Sequence, residues 1–206
     1  MAFNCPVCGA PAPDNLQYAK LLVCSYCKTS LFLEDAAVKD IGVKSAIVEQ
    51  PSIFQLGQRY RYHSLSFEPY GRIQFDYGGG YWDEWWVMTD RGEGKWVSVD
   101  EGDIAIESPV TSHGPLPDCL SLRVGQNINI NNQNLKVTEV NASSCIAVEG
   151  QLPEVIFPGD EHHYAHLSGT KNLLLTIECF KDGKALYKGV WVDPFEVRPL
   201  THYGNV

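Results

Sequence analysis

The chain has 206 residues, 44% of them hydrophobic and 20% charged, and carries a formal net charge of −9. That mix excludes disorder along the whole length and suits one large domain, or a small metal module joined to a β domain. The acidic balance excludes nucleic acid as a partner and argues equally against an anionic membrane surface, because both depend on lysine and arginine neutralising negative charge.

The first motif is the pair Cys5-Pro-Val-Cys8-Gly9 and Cys24-Ser-Tyr-Cys27-Lys28. Each Cys-x-x-Cys forms a tight knuckle whose two sulfurs reach one ion, and the intervening residues let the second knuckle fold back to complete a tetrahedron. Residues 1–34 therefore read as a zinc ribbon, with one structural zinc held by Cys5, Cys8, Cys24 and Cys27. Iron in a rubredoxin-like site uses the same ligand set, and spacing alone does not separate the two. Four protein ligands leave no open coordination position, so the metal is expected to hold the fold and to take no part in a reaction. Bound as thiolates with one divalent ion, the site takes the net charge to about −11. No run of apolar residues is long enough to span a bilayer, and the N-terminus lacks the pattern of a secretory signal. With thiols at metal spacing, a cytoplasmic location is expected. Cys119, Cys145 and Cys179 lie far apart in the sequence. Cys145 and Cys179 sit in apolar runs and read as small buried hydrophobes.

Residues 35–56 read as a linker with a short helix near 34–38. From Gly57 the pattern is β. Alternation around Tyr60 and Tyr62, and again over 71–77, predicts two strands. Gly78-Gly79-Gly80 then allows a reversal into Tyr81-Trp-Asp-Glu-Trp-Trp-Val-Met88, which holds three of the five tryptophans. On a strand, Trp82, Glu84, Trp86 and Met88 share one face, and Asp83, Trp85 and Val87 the other. Short strands follow at 96–99 and 104–106, giving a first module over 57–110. The stretch 108–118 holds three prolines and reads as a loop. In the second half, strands at 126–130 and 135–140 flank an Asn131-Asn132 turn, and 144–148 is a further strand. Runs 173–180 and 185–192 flank Lys181-Asp-Gly-Lys184, where Asp182-Gly183 predicts a type I′ hairpin turn. These give a second module over 119–195, and the tail after Pro194 reads as loop. Leu56-Gly-Gln58 and Val124-Gly-Gln126 each open an alternating strand, which suggests two copies of one small module. The fold expected is mainly β: a four-cysteine zinc ribbon followed by a β-barrel or sandwich, as two tandem SH3-like modules or as one compact domain over 57–195.

Several of these motifs match the bacterial family catalogued as domain of unknown function 4178. They are Gly71-Arg-Ile-Gln-Phe75, the Trp82-x-Glu84-Trp85 box, the Trp96 strand, Glu149-Gly-Gln-Leu-Pro153 and Tyr187-x-Gly189, spread over residues 54–195. The chain resembles that family. The resemblance implies a β-rich domain, often behind a zinc ribbon, in a cytoplasmic bacterial protein. It also implies an accessory role beside membrane proteins and aminopropyltransferase-like enzymes, and it assigns no activity. Where the resemblance leads one to expect Gly-Glu-Leu-Pro, this chain has Gln151, which weakens any role for a carboxylate there.

Chemistry has few places to reside. Asp160-Glu-His162-His163-Tyr-Ala-His166 could hold a metal, but the spacing is not that of a zinc helix and Gly159 points to a loop entering a strand. His63, His113 and His202 have no evident partner in sequence. Asp100-Glu-Gly-Asp103 lacks the pattern of a calcium loop. Eight acids against two basic residues between Asp83 and Glu107 make either a docking surface or a solvated face. The tryptophan box is the sharper candidate. Glu84 between Trp82 and Trp86 is costly to bury without a partner, and aromatic faces beside carboxylates bind cations. Trp82, Asp83, Glu84 and Trp86 are therefore the candidate binding residues. Two functions follow: a non-enzymatic adaptor for a protein partner in a membrane-associated or stress-related system, or a sensor of a polyamine-like cation. An enzyme built on His162–His166 is a third. No catalytic residue and no direct membrane insertion are expected.

Overall fold

The computed structural model describes residues 3–16, 18–34, 37–45, 47 and 52–200. His202 and Pro51 lie outside them. Fourteen strands form one antiparallel sheet, and no α-helix occurs among the described residues. Among the described residues no helix is long and apolar enough to cross a membrane.

β1 (Leu21–Val23), β2 (Thr29–Glu34) and β3 (Ala37–Lys44) form the ribbon sheet. A first meander follows: β4 (Tyr60–Tyr62), β5 (Leu65–Asp76), β6 (Tyr81–Thr89), β7 (Gly94–Asp100) and β8 (Asp103–Pro109). A second consists of β9 (Asn127–Ile130), β10 (Gln133–Leu152), β11 (Glu161–Ser168), β12 (Leu173–Phe180) and β13 (Gly183–Val192). β14 (Val197–Pro199) returns to pair with β4.

The meanders are joined twice, by equivalent strands. β5 pairs β10 and β8 pairs β13, so β5-β6-β7-β8-β13-β12-β11-β10 closes into a ring of eight. The echo between Leu56-Gly-Gln58 and Val124-Gly-Gln126 has a backbone counterpart. Gly57 N–H donates to the Pro69 carbonyl at 3.0 Å and Gly125 N–H to that of Val137 at 2.8 Å. Likewise Gln58 donates to Gln55 and Gln126 to Arg123.

Strand alternation sorts the apolar side chains into separate cores. One face of the first meander packs Phe67, Trp85, Val87, Val97, Ile104 and Ile106 beneath Phe54 and Tyr60. The corresponding face of the second packs Leu135, Val137, Leu167, Leu175 and Ile177 beneath Cys119 and Leu122. The opposite faces of both turn toward each other inside the ring, where Phe75, Trp82, Trp96 and Tyr164 share a third cluster with Leu21 and Val23 of the ribbon.

Glycine lets the seams close. A Cβ on Gly71 would strike the Gln151 carbonyl, and one on Gly189 would strike the Ile106 carbonyl. Both obstacles are backbone atoms of paired strands and cannot rotate away. Gly189→Val will therefore destabilise the fold by about 1–3 kcal/mol through overpacking, read as a lowered urea midpoint. A wild-type midpoint would mean that the β8–β13 seam tolerates a side chain.

Several expectations are corrected. Residues 37–44, read as linker and helix, form β3, because Leu31 and Phe32 give their edge a strand to pair with. The two strands expected at 135–140 and 144–148 are one, β10, which absorbs irregularities at Val137/Glu139 and Cys145/Ala147. The tail carries β14 where loop was expected. The Asp182-Gly183 turn is not type I′: the two-residue turn is Lys181-Asp182, Gly183 already pairs with Phe180, and neither Asp182 nor Gly183 has positive φ. The Asn131-Asn132 turn does have it, at 50° and 62°. Cys119 and Cys179 are bonded to each other across 60 residues, their Cα atoms 6.2 Å apart. Only Cys145 remains a buried free thiol outside the ribbon.

Candidate functional site

Two clusters carry chemistry. The first is the cysteine site. Both knuckles use the same backbone pattern: Gly9 N–H donates to Cys5 O and Lys28 N–H to Cys24 O, while Cys5 and Cys24 N–H donate to Ala10 O and Thr29 O. Gly9 and Lys28 both adopt positive φ, so Lys28 accepts for the second knuckle the strain that glycine spares the first. The four Sγ atoms lie within 4.8 Å of one another, with Cys5–Cys27 and Cys8–Cys24 at 3.7 Å. A tetrahedron of sulfurs about 2.3 Å from one ion has edges of about 3.8 Å, so the donor set fits a metal ion. The Thr29 hydroxyl, 3.4 Å from Cys27 Sγ, draws that thiol down to about 6 and favours the thiolate a metal needs.

The second cluster lies inside the ring. Register places Glu84 of β6 opposite Ser98 and Ile73, Trp86 opposite Trp96, and Trp96 opposite Glu107 of β8. Across the space, β12 contributes Thr176 and Glu178, β11 contributes His162, Tyr164 and His166, and β13 contributes Tyr187. Glu154, in the loop after β10, joins them. Burial pushes Glu84 up to about 7 and raises Glu107, Glu154 and Glu178, and the neighbouring carboxylates push Glu84 and Glu178 further. Among the described residues no lysine or arginine forms an ion pair with any of the four; Lys20 comes near enough to Glu154 to favour its charged form. Their partners are neutral donors: Trp82 Nε1 donates to Glu84 at 3.3 Å, Thr176 Oγ1 to Glu107 at 2.9 Å, and the Tyr187 hydroxyl reaches Glu178. The walls are aromatic. Trp86 and Trp96 stand 5.2 Å apart, Phe75 stacks on Trp82 at 4.9 Å, and Tyr164 meets Trp82 edge-on. Glu84, Trp86, Glu154 and Tyr187 keep partial solvent access although they face inward, so solvent reaches the recess.

Of the candidate binding residues, Trp82, Glu84 and Trp86 line this recess and Asp83 does not. Asp83 takes a two-pronged ion pair from Arg72, at 2.9 and 2.7 Å, on the opposite face, where the guanidinium also lies 5.0 Å above Trp85. That pair satisfies both carboxylate oxygens. Sequence reasoning placed Glu107 only in an acidic run and Tyr187 only in a family motif, and missed Glu154 and Glu178, because only strand order brings β6, β8, β12 and β13 together. Gln151 pairs with Leu22 of the ribbon and takes no part.

The histidines do not converge. Among the described residues only the four cysteines gather three or more metal-ligating atoms. His162 faces inward between Phe75 and Phe180, burial pushes it down to about 4, and His163 points the other way. The loop entering a strand expected there is what the structure shows: the turn at Gly159 leads into β11, which begins at Glu161. Ser143, His162 and Glu178 superficially resemble a hydrolytic triad beside a cleft of about 620 Å³. Ser143 Oγ, however, is 3.3 Å from both ring nitrogens and so aligns with neither lone pair, and Glu178 is 4.0 Å away. His166 instead meets Glu139 at 3.1 Å, which also accepts from the Tyr164 hydroxyl at 2.6 Å.

A family model described as Domain of unknown function (DUF4178) matches residues 55–194. The chain belongs to the DUF4178 family. Among curated proteins and solved structures, none matches it. The DUF4178 match covers both meanders, and the four-cysteine cluster lies ahead of it. The motif glycines Gly71 and Gly189 are the seam positions, and Glu84 of the tryptophan box is a recess carboxylate.

Proposed function

We propose that this DUF4178 protein is a non-enzymatic binding protein that takes a small organic polycation, of the polyamine class, into the recess between its two meanders. One observation carries the reading: Glu84, Glu107, Glu154 and Glu178 face the inside of the ring close enough to act on one another's charge, among tryptophan and tyrosine faces, and among the described residues no lysine or arginine is in an ion pair with them. Unpaired buried carboxylates are costly, and an ammonium group offsets that cost while its methylene chain packs on the rings. A folded protein partner has no route to a face turned inward, which disfavours the adaptor role for the tryptophan box. One feature suits a protein partner elsewhere: Phe195 is 86% exposed on the turn before β14.

In this reading the ribbon ion is zinc and its role is structural, since four thiolates would leave no open position. Elemental analysis will give one zinc per chain, and Cys24→Ser will lose it; metal-free wild type purified under reducing conditions would overturn that. A cytoplasmic location suits the free thiols of the ribbon; the Cys119–Cys179 bond has one end, Cys119, fully buried and the other, Cys179, half-buried.

The test is tryptophan emission titrated with spermidine at pH 8, at low and high salt. Saturable change is expected, weaker at high salt and at least tenfold weaker in Glu84→Gln. No change at millimolar spermidine would remove the reading.

A further inference from the structure

β1 is only three residues long, yet it faces two cores. Leu22 points into the ribbon's own cluster with Cys5, Cys24 and Leu31. Its neighbours Leu21 and Val23, at 0% and 4% exposure, point the other way, into the cluster that holds Ile73, Trp82, Trp96, Val148, Leu152 and Ile156. Cys24 follows Val23 directly. The backbone is tied to the same place. Leu21 and Leu22 pair with Leu152 and Gln151, and Lys20 N–H donates to Leu152 O at 2.8 Å. From the far end of the ribbon, the buried Ser45 hydroxyl accepts the Val148 N–H at 2.6 Å, just past the β10 irregularity at Cys145/Ala147. Lys20 also brings a lysine charge to bear on one of the recess acids, Glu154.

We infer that the ribbon is the end wall of the inter-sheet recess, and that metal held by Cys5, Cys8, Cys24 and Cys27 keeps that wall in place. A segment this small has too little apolar mass to hold itself, and metal binding supplies its folding energy. Metal loss releases Leu21, Val23 and Ser45 together and uncovers the Trp82–Trp96 side. By linkage, a recess ligand then slows metal loss, just as metal strengthens ligand binding. The ligand half rests on the proposed polycation reading; the wall itself does not.

Full-length protein loaded with zinc is compared with the same protein stripped by chelator, using acrylamide quenching of tryptophan emission and spermidine titration. Stripping should at least double the quenching constant and weaken spermidine tenfold. Leu21→Ser, which leaves all four cysteines in place, should reproduce the rise in quenching with one zinc still bound. This variant decides the matter even if the stripped chain unfolds throughout. Unchanged quenching in zinc-bound Leu21→Ser overturns the wall, as does unchanged quenching in the stripped protein. If quenching rises but spermidine binds in neither state, the wall stands and the polycation reading falls. Equal spermidine affinity in both states overturns the coupling and leaves that reading intact.

Discussion

Replacing Trp85 with alanine will cost about 3–5 kcal/mol of folding stability, the largest loss expected from any single side chain in the first meander. Trp85 is 2% exposed, packs edge-on against Phe54 at 6.0 Å, and supports Arg72, whose guanidinium lies 5.0 Å above its ring. Truncation leaves a cavity and also removes the surface that orients Arg72 toward Asp83. The indole Nε1 has no hydrogen-bond partner among the described residues. Trp85→Phe therefore loses no hydrogen bond and should cost markedly less. Urea unfolding of both variants measures the difference. Trp86→Ala provides the contrast, since Trp86 is only partly buried at the recess and its loss should fall mainly on binding. If Trp85→Ala unfolds at the wild-type midpoint, the core of the first meander is not built as described.

Stability should fall as pH rises from about 6.5 to 8; below 6.5 the recess acids are opposed by His162, which burial pushes down to about 4 and whose loss of a proton favours folding. Glu84 keeps its proton in the folded chain up to about 7, against 4.5 for the free side chain. Between those values this side chain binds more protons in the folded state than in the unfolded state, so its share of each step up in pH favours unfolding. The stabilisation is complete below the unfolded value and lost as pH passes through the folded one. The difference amounts to about 3 kcal/mol for Glu84 alone. Glu107, Glu154 and Glu178 are shifted in the same direction and add to the slope. Thermal unfolding across that range checks the sign. Glu84→Gln should flatten the curve, and spermidine should raise the melting temperature most at the alkaline end. A melting temperature that climbs from pH 6.5 to 8, above the range in which His162 contributes, would show that the recess acids are ionised and paired.

The two halves of the tryptophan box show what the sequence made legible. Alternation along one strand is local, so Trp82, Glu84 and Trp86 could be put on one face by counting. What each face meets depends on its neighbours. Arg72 finds Asp83 because β5 and β6 are in a register that sets Arg72 opposite Trp85 and Gln74 opposite Asp83, and no local pattern encodes that. The recess is less legible still. Glu107 and Glu178 each look like ordinary strand residues, and their meeting requires both seams of the ring. Cys119 and Cys179 were hidden for the same reason. The four ribbon cysteines were readable because a metal needs its ligands in two local pairs, and the spacing within each pair survives any fold around it. The Asp-Gly turn misled because its two residues fit a favoured hairpin type, while the β12–β13 register moved the turn one position earlier.

The double joining of the meanders has a consequence for how the chain is made. When synthesis has released the first meander, β4 covers only the start of β5, and the 71–76 stretch of β5 and the outer edge of β8 have no partner, because β10 and β13 come later in the chain. The ribbon waits as well, since β1 pairs with Leu152 and Gln151 at the far end of β10. Open strand edges invite pairing with other chains, and contacts between distant segments form slowly. The nascent first half is thus the species most exposed to misassembly. Completion of the second half must close both seams and seat the ribbon in what is nearly one event.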